Sequence, residues 1–162
     1  MTAGDQLTLR RTERKDMLQY FFWANDPVTR QNAFDPYPIS WENHVTWFEQ
    51  KLHSLQTQMW VMVTSCGLPV GQIRFDIQIG IADIDYSLDP LVRGRGWGKI
   101  LLELGISAFK KKHPDLLVRG RVKPGNIASI RTFQQFGFDK EVRQDVVIFI
   151  HTDHEKTGDN TK

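Results

Sequence analysis

The sequence predicts a mixed α/β fold in which a run of antiparallel strands passes into a strand–helix–strand crossover. Three observations carry this reading. Residues 59–64, 70–79 and 81–88 alternate apolar and polar side chains, with Gly67-Leu68-Pro69 and Gly80 between them, as half-buried antiparallel strands do. Residues 98–112 then place Ile100, Leu101, Leu104, Ile106, Ala108 and Phe109 at roughly helical spacing. Residues 116–122 return to an extended pattern, and a strand, a helix and a strand in succession imply a right-handed crossover with a parallel pair.

The remaining elements follow in chain order. Residues 6–11 alternate Leu7 and Leu9 with polar neighbours, a short first strand. Residues 13–23 read as a helix with Met17, Leu18, Phe21 and Phe22 on one side, ended by Asp26-Pro27. Residues 28–39 contain Pro36 and Pro38 with Phe34 and Tyr37 and read as a structured loop, the kind of segment that carries recognition. Ser40 is a good N-cap for a second helix whose apolar stripe is Val45, Phe48, Leu52 and Leu55. Trp41, His44 and Trp47 are spaced by three and share a neighbouring face. They either pack this helix on the sheet or form a wall on which a base or sugar stacks. Gly120 marks a close backbone approach in its strand. After the turn Lys123-Pro124-Gly125-Asn126, residues 127–136 form a short helix with Gly137 at its C′ position. Residues 145–150 are the last strand. The expectation is one domain over residues 1–150 and a polar, disordered tail over 151–162.

Composition narrows the class. A chain of 162 residues, 40% hydrophobic and 25% charged, has the makeup of one soluble domain with a real core. Its net charge of +2 gives no argument for a nucleic-acid partner. Lys110-Lys111-Lys112 lies at a helix end, where cations complement the dipole. The single cysteine, Cys66, excludes an internal disulfide framework and a multi-cysteine metal site, so no metal is expected. The start carries no apolar leader and no segment approaches membrane-spanning length; the expectation is a cytoplasmic protein with no membrane partner.

The chemistry concentrates in residues 85–102. Ile84, Tyr86 and Leu88 alternate, Asp89-Pro90 halts the strand, and Arg93-Gly94-Arg95-Gly96-Trp97-Gly98 opens directly into the long helix. A strand, a glycine loop and a helix N-terminus form an anion site: the backbone can approach closely, its N–H groups are free, and the dipole favours negative charge. Arg93, Arg95 and Lys99 add formal positive charge beside it. The spacing fits neither the Walker loop nor the Gly-x-Gly-x-x-Gly dinucleotide fingerprint. It fits Arg/Gln-x-x-Gly-x-Gly/Ala, the pyrophosphate loop of the GNAT superfamily of N-acetyltransferases, which the chain resembles here. Residues 126–138, from Asn126 through Ser129 and Phe133 to Gly137-Phe138, resemble the second signature of that family, Asn-x-x-Ala/Ser-x-x-x-Tyr/Phe-x-x-x-Gly-Phe.

The resemblance implies a mixed, mostly antiparallel sheet of six to seven strands, splayed after the fourth, with about four flanking helices and acetyl-CoA in the gap. It implies an acetyl-CoA-dependent N-acetyltransferase acting on a primary amine. The amides of Arg93, Gly94, Arg95, Gly96, Trp97 and Gly98 would bind the pyrophosphate. The backbone near Ser87 and Leu88 would pair with the pantetheine arm, and Asn126 would hydrogen-bond it. Two positions depart from the family pattern: Phe133 stands where many members carry an acidic tyrosine, and Arg121 where several carry a basic glutamate. Arg121 cannot act as a base near neutral pH. Candidate bases are therefore His44, whose ordinary pKa suits the task, and Asp83 and Asp85, with Asp76 on the preceding strand also in view.

Residues 38–48, 71–76 and 122–129 resemble the acetyltransferases of nucleotide-activated amino sugars, those of the pseudaminic-acid type being nearest. This implies acetylation of a sugar 4-amino group. Trp41, Trp47 and Phe34 would then stack on a base or deoxy sugar, Arg30, Arg74 or Arg121 would pair with phosphate, and Asp76 would join the acceptor-binding set. Three alternatives remain open at this point: a protein N-terminus as acceptor, a polyamine held by Asp83 and Asp85, or a non-catalytic acyl-CoA-binding domain. Members of the family often dimerise, so a homodimer is also open.

Overall fold

A computed structural model describes residues 6–153. Seven strands form one sheet: β1 (Thr8–Arg11), β2 (Thr57–Val63), β3 (Pro69–Gln78), β4 (Ile81–Leu88), β5 (Leu117–Val122), β6 (Asp139–Val142) and β7 (Val147–His151). Their spatial order is β1-β2-β3-β4-β5-β7-β6. All pairs are antiparallel except β4 with β5, which is parallel as the crossover requires. The helices are α1 (Met17–Asn25), α2 (Pro27–Asn32), α3 (Trp41–His53), α4 (Trp97–Lys110) and α5 (Ile127–Phe136).

The period of two in β2 divides the core. Met59, Val61 and Val63 point to one face, where they pack with Tyr20 and Trp23 of α1 and Phe48 of α3. Trp60 and Met62 point to the other, into a larger cluster with Ile73, Phe75, Leu101, Leu102, Phe109 and Phe133 from β3, α4 and α5. Phe75 and Phe109 stack there with centroids 4.3 Å apart. Helices therefore cover both faces of the sheet, and each face excludes water on its own.

Three sequence expectations change. Residues 28–39 are not all loop: Asp26 accepts a hydrogen bond from Thr29 N at 3.0 Å and caps α2, with Pro27 in its first turn. The pair Asp26-Pro27 ends one helix and starts the next, because proline at a first helical position loses no intrahelical bond. Among the described residues the flanking α-helices accordingly number five. The strand β6 is absent from the sequence reading: Asp139–Val142 is exposed throughout and holds one apolar residue, so no alternation marks it. It exists through its backbone bonds to β7 at the sheet edge. Of the tail expected over 151–162, His151 belongs to β7 and residues 154–162 lie outside the described residues.

Candidate active site

The site is made by strands that part. β4 pairs with β3 along its whole length, from Ile81↔Gln78 to Leu88↔Gly71. It pairs with β5 only from Ile81 to Ile84, against Leu117 to Gly120. Beyond Ile84 the sheet opens, and residues 85–88 of β4 present an edge with no strand beside it, which can pair with an extended chain. A cavity of about 890 Å³ fills the opening and continues over the α1–α2 side of the sheet. Ser87, Leu88 and Asn126 line it. Asn126 itself caps α5 by accepting from Ser129 N at 3.3 Å.

The glycine turn forms the outer end of this cavity. Asp89 halts β4 by accepting from Leu91 N at 2.9 Å, and its other oxygen accepts from Trp23 Nε1 at 2.9 Å. Gly94 and Gly96 both hold φ of +77°, a conformation that disfavours any side chain, and no atom lies within 4 Å of where a Cβ would stand. Gly96 is the N-cap of α4 and supplies no capping side chain, so the first N–H groups of that helix stay free for an anion. Gly94, Gly96, Trp97, Gly98 and Lys99 line the cavity here. An open cradle of amides beside a cation fits a pyrophosphate. The charge is distributed differently from the sequence expectation, however. Arg93 reaches back to Asp26 Oδ2 at 2.7 Å and Thr29 Oγ1 at 3.2 Å, and Arg95 lies over the Trp97 ring with 5.5 Å to its centroid.

On the face of the sheet covered by α1 and α3, Gln72 and Arg74 of β3 lie beside Asp85 and Ser87 of β4. Arg74 donates to Asp76 at 2.8 Å, stands 3.5 Å from Asp85, and lies over the Trp47 ring with 5.0 Å to its centroid. Gln72 Nε2 donates to Asp85 at 3.0 Å and to Ser87 Oγ at 3.3 Å. The Asp85 side chain remains 54% exposed, a carboxylate reachable from the cavity.

The other candidate bases are placed differently. Asp83 accepts two bonds from Arg119, at 2.6 and 2.9 Å, lies 3.7 Å from Arg121, and does not line the cavity. Asp76 is also outside it, held by Arg74, by Lys51 at 2.7 Å and by Thr57 at 3.0 Å. Burial works against the Asp76 carboxylate, but Arg74 and Lys51 outweigh it and hold its pKa below the usual range. His44 lines the cavity yet is only 1% exposed, with Nε2 at 2.8 Å from the Met17 carbonyl. A carbonyl can only accept, so Nε2 carries the proton. Burial pushes this imidazole below its ordinary pKa.

The aromatic wall is divided. His44 packs between Trp41 and Trp47, at 5.9 and 5.8 Å. Trp47 and Phe34 line the cavity, whereas Trp41 sets its edge against Phe21 at 5.2 Å and does not. Arg121 lines the cavity with its side chain 55% exposed. Arg30 is committed to carbonyls, donating to Ala24 at 2.6 Å, Asp35 at 3.1 Å and Tyr37 at 3.3 Å, and so shapes the loop after α2. Gln72 and Tyr86 were missed by sequence reasoning. Tyr86 stands at an apolar position of an alternating strand, and Gln72 is marked only by its bonds to Asp85 and Ser87 across the strand pair.

The chain matches the acetyltransferase (GNAT) domain family over residues 6–139. It belongs to that family. The protein is an acetyl-CoA-dependent N-acetyltransferase. Several solved structures share its fold. The Vibrio cholerae spermidine N-acetyltransferase, in complex with CoA and spermine, superposes with a TM-score of 0.81 at 19% identity, over 90% of this chain and 95% of that one. A domain from Methanocaldococcus jannaschii gives 0.79 at 18% identity, over 91% and 99%. The aminoglycoside acetyltransferase AAC(6')-Ib, in complex with coenzyme A, gives 0.76 at 15% identity, over 91% and 95%. Among curated proteins none matches the sequence at a significant level. Among the described residues no helix is long and apolar enough to cross a membrane, and no group of three or more His, Cys, Asp or Glu is arranged to hold a metal ion.

Proposed function

We propose that this enzyme acetylates the amino group of an acceptor that is itself anionic and carries a stacking ring, such as the 4-amino group of a nucleotide-activated amino sugar. The balance of charge around the cavity carries the reading. Of the cations that line it, Arg30 is engaged by loop carbonyls, Arg74 by Asp76 and Arg93 by Asp26, which leaves Lys99 at the glycine turn and the half-exposed Arg121 against two lining carboxylates, Asp35 and Asp85. A polycation such as spermidine or an aminoglycoside needs an excess of carboxylate, which this lining lacks. Arg121, half exposed and 3.7 Å from an Asp83 already engaged by Arg119, is the cation best placed to meet a phosphate. Trp47 and Phe34 supply ring faces in the lining of the same cavity.

Acetyl-CoA supplies the thioester. Residues 94–98 would hold its pyrophosphate, and the open edge of β4 at Ser87 and Leu88 its extended arm. Asp85 would orient the incoming amine and take up its surplus proton.

A thiol-release assay with acetyl-CoA tests the acceptor. The panel is a UDP-4-amino-4,6-dideoxy sugar, spermidine, kanamycin and a peptide with a free N-terminus. Rapid release with the nucleotide sugar, together with a KM for it that rises about tenfold in Arg121→Ala, supports the reading; one lost charge-assisted bond is worth roughly that factor. Release confined to spermidine, kanamycin or the peptide defeats it and leaves the acetyl-CoA site intact.

A further inference from the structure

Tyr86 stands where β4 has lost its β5 partner, on the opposite face of the strand from Asp85 and Ser87. Its ring meets Phe133 edge-on, with centroids 5.7 Å apart and planes at 79°. A Cβ built on Gly98 at the start of α4 would lie 3.8 Å from that ring. Its hydroxyl lies 3.1 Å from Ser129 Oγ in the first turn of α5. Tyr86, Ser129 and Thr132 all line the cavity on this side. The phenol thus faces the space between the pyrophosphate turn and the N-terminus of α5, at the depth where the strands part.

Acetyl transfer expels a thiolate, and a proton delivered to that sulfur lowers the barrier. Phe133 has no proton to give and is 2% exposed. Among the hydroxyls on this side the phenol is the most acidic, with an ordinary pKa of about 10 against about 8.5 for a thiol. Burial pushes the Tyr86 phenol up, while its bonds to Ser129 and Thr132 pull the other way. The net direction keeps it protonated at neutral pH, the state a proton donor needs.

We propose that Tyr86 is the general acid toward the departing sulfur, positioned by Ser129. As the acceptor nitrogen bonds to the acetyl carbon and the carbon–sulfur bond breaks, Tyr86 Oη gives its proton to sulfur. The amine loses its surplus proton to Asp85 or water and thence to solvent, and the phenolate regains one proton from solvent through Ser129 Oγ. No proton is gained or lost overall. The inference rests on acetyl transfer from a thioester and not on the identity of the amine.

The test is Tyr86→Phe, which keeps the ring and its contact with Phe133. With any amine that turns over, kcat falls about a hundredfold, the lower end for a lost general acid, while KM for acetyl-CoA changes little. An acceptor-free readout accompanies it. Calorimetry shows the wild type binding CoA more tightly than desulfo-CoA, and Y86F loses that difference. A folded Y86F with kcat within twofold of wild type, or with the CoA preference retained, overturns the proposal. Should Y86F melt early, Ser129→Ala decides in its place: a fall in kcat of about tenfold with unchanged CoA binding supports the proposal, and an unchanged kcat overturns it. A wrong acceptor assignment leaves the CoA comparison untouched.

Discussion

Arg93 Nη2 donates to Asp26 Oδ2 across 2.7 Å, joining the glycine turn to the N-cap of α2. The two residues are 67 positions apart, and Asp26 serves both partners at once because it also accepts from Thr29 N. Burial opposes the Asp26 carboxylate, but Arg93 and the Thr29 bonds hold its pKa below the usual range.

Separating those two duties is straightforward. Asp26→Asn keeps an N-cap and loses the ion pair; Asp26→Ala loses both. Urea unfolding should place the alanine variant about 1 kcal/mol below the asparagine variant, the usual worth of a cap. In a double-mutant cycle with Arg93→Ala, the coupling should be about 1 kcal/mol, as for contacting residues that share a partner. A coupling near zero would show that the bridge does not fasten the turn.

Gly96→Asp should abolish measurable acetyl-CoA binding. The new side chain must adopt φ near +77° and places a carboxylate at the helix N-terminus where the pyrophosphate is expected. The backbone strain alone is about 1–3 kcal/mol. Calorimetric titration with CoA reads the result, and unchanged affinity would remove this turn from the cofactor site.

Phe133→Tyr should not produce a more active enzyme. The Phe133 ring covers Gly120 so closely that a Cβ on Gly120 would stand 2.6 Å from its Cζ, and its face stacks on Phe149 at 5.0 Å. A para hydroxyl enters that same contact, costing about 1–3 kcal/mol by overpacking. Thermal unfolding should show the loss, and kcat should not rise.

Stability should fall in two stages as pH drops. His44 is buried neutral with its folded pKa below the unfolded value of about 6.5, so the unfolded chain takes up the proton first. That contribution is complete above about pH 6.5 and is lost as pH falls below it. Asp16, paired with Arg10 at 2.8 Å, has a depressed pKa in the fold, as do Asp26 and Asp76. Their contributions are complete above about pH 4 and disappear below it. Chemical denaturation between pH 7 and 5.5 should show a slope in the wild type that His44→Gln lacks.

Much of the fold was legible because local pattern and global structure agree. The span of β4 and of α5, the Ser40 cap on α3 and the parallel crossover follow from periodicity and capping chemistry that each segment carries alone. The glycine turn was legible for the same reason: alternating glycines before a helix have few other uses. Strand β6 was not, because an exposed edge strand is specified by backbone pairing with β7 rather than by side-chain pattern. The helix α2 was missed because one dipeptide both stops and starts a helix.

The sequence by itself determined the order strand, glycine turn and helix, and the acetyltransferase family. Only the tertiary structure decided which charges are free to act. Asp83, Asp85, Asp76, Arg74 and Arg93 are equivalent in a list of residues, yet Arg119 occupies Asp83, Asp26 occupies Arg93, and Asp85 alone of the three aspartates faces the cavity. Hydrogen bonds and ion pairs between residues distant in the chain depend on sheet register and helix docking, and no local pattern encodes them.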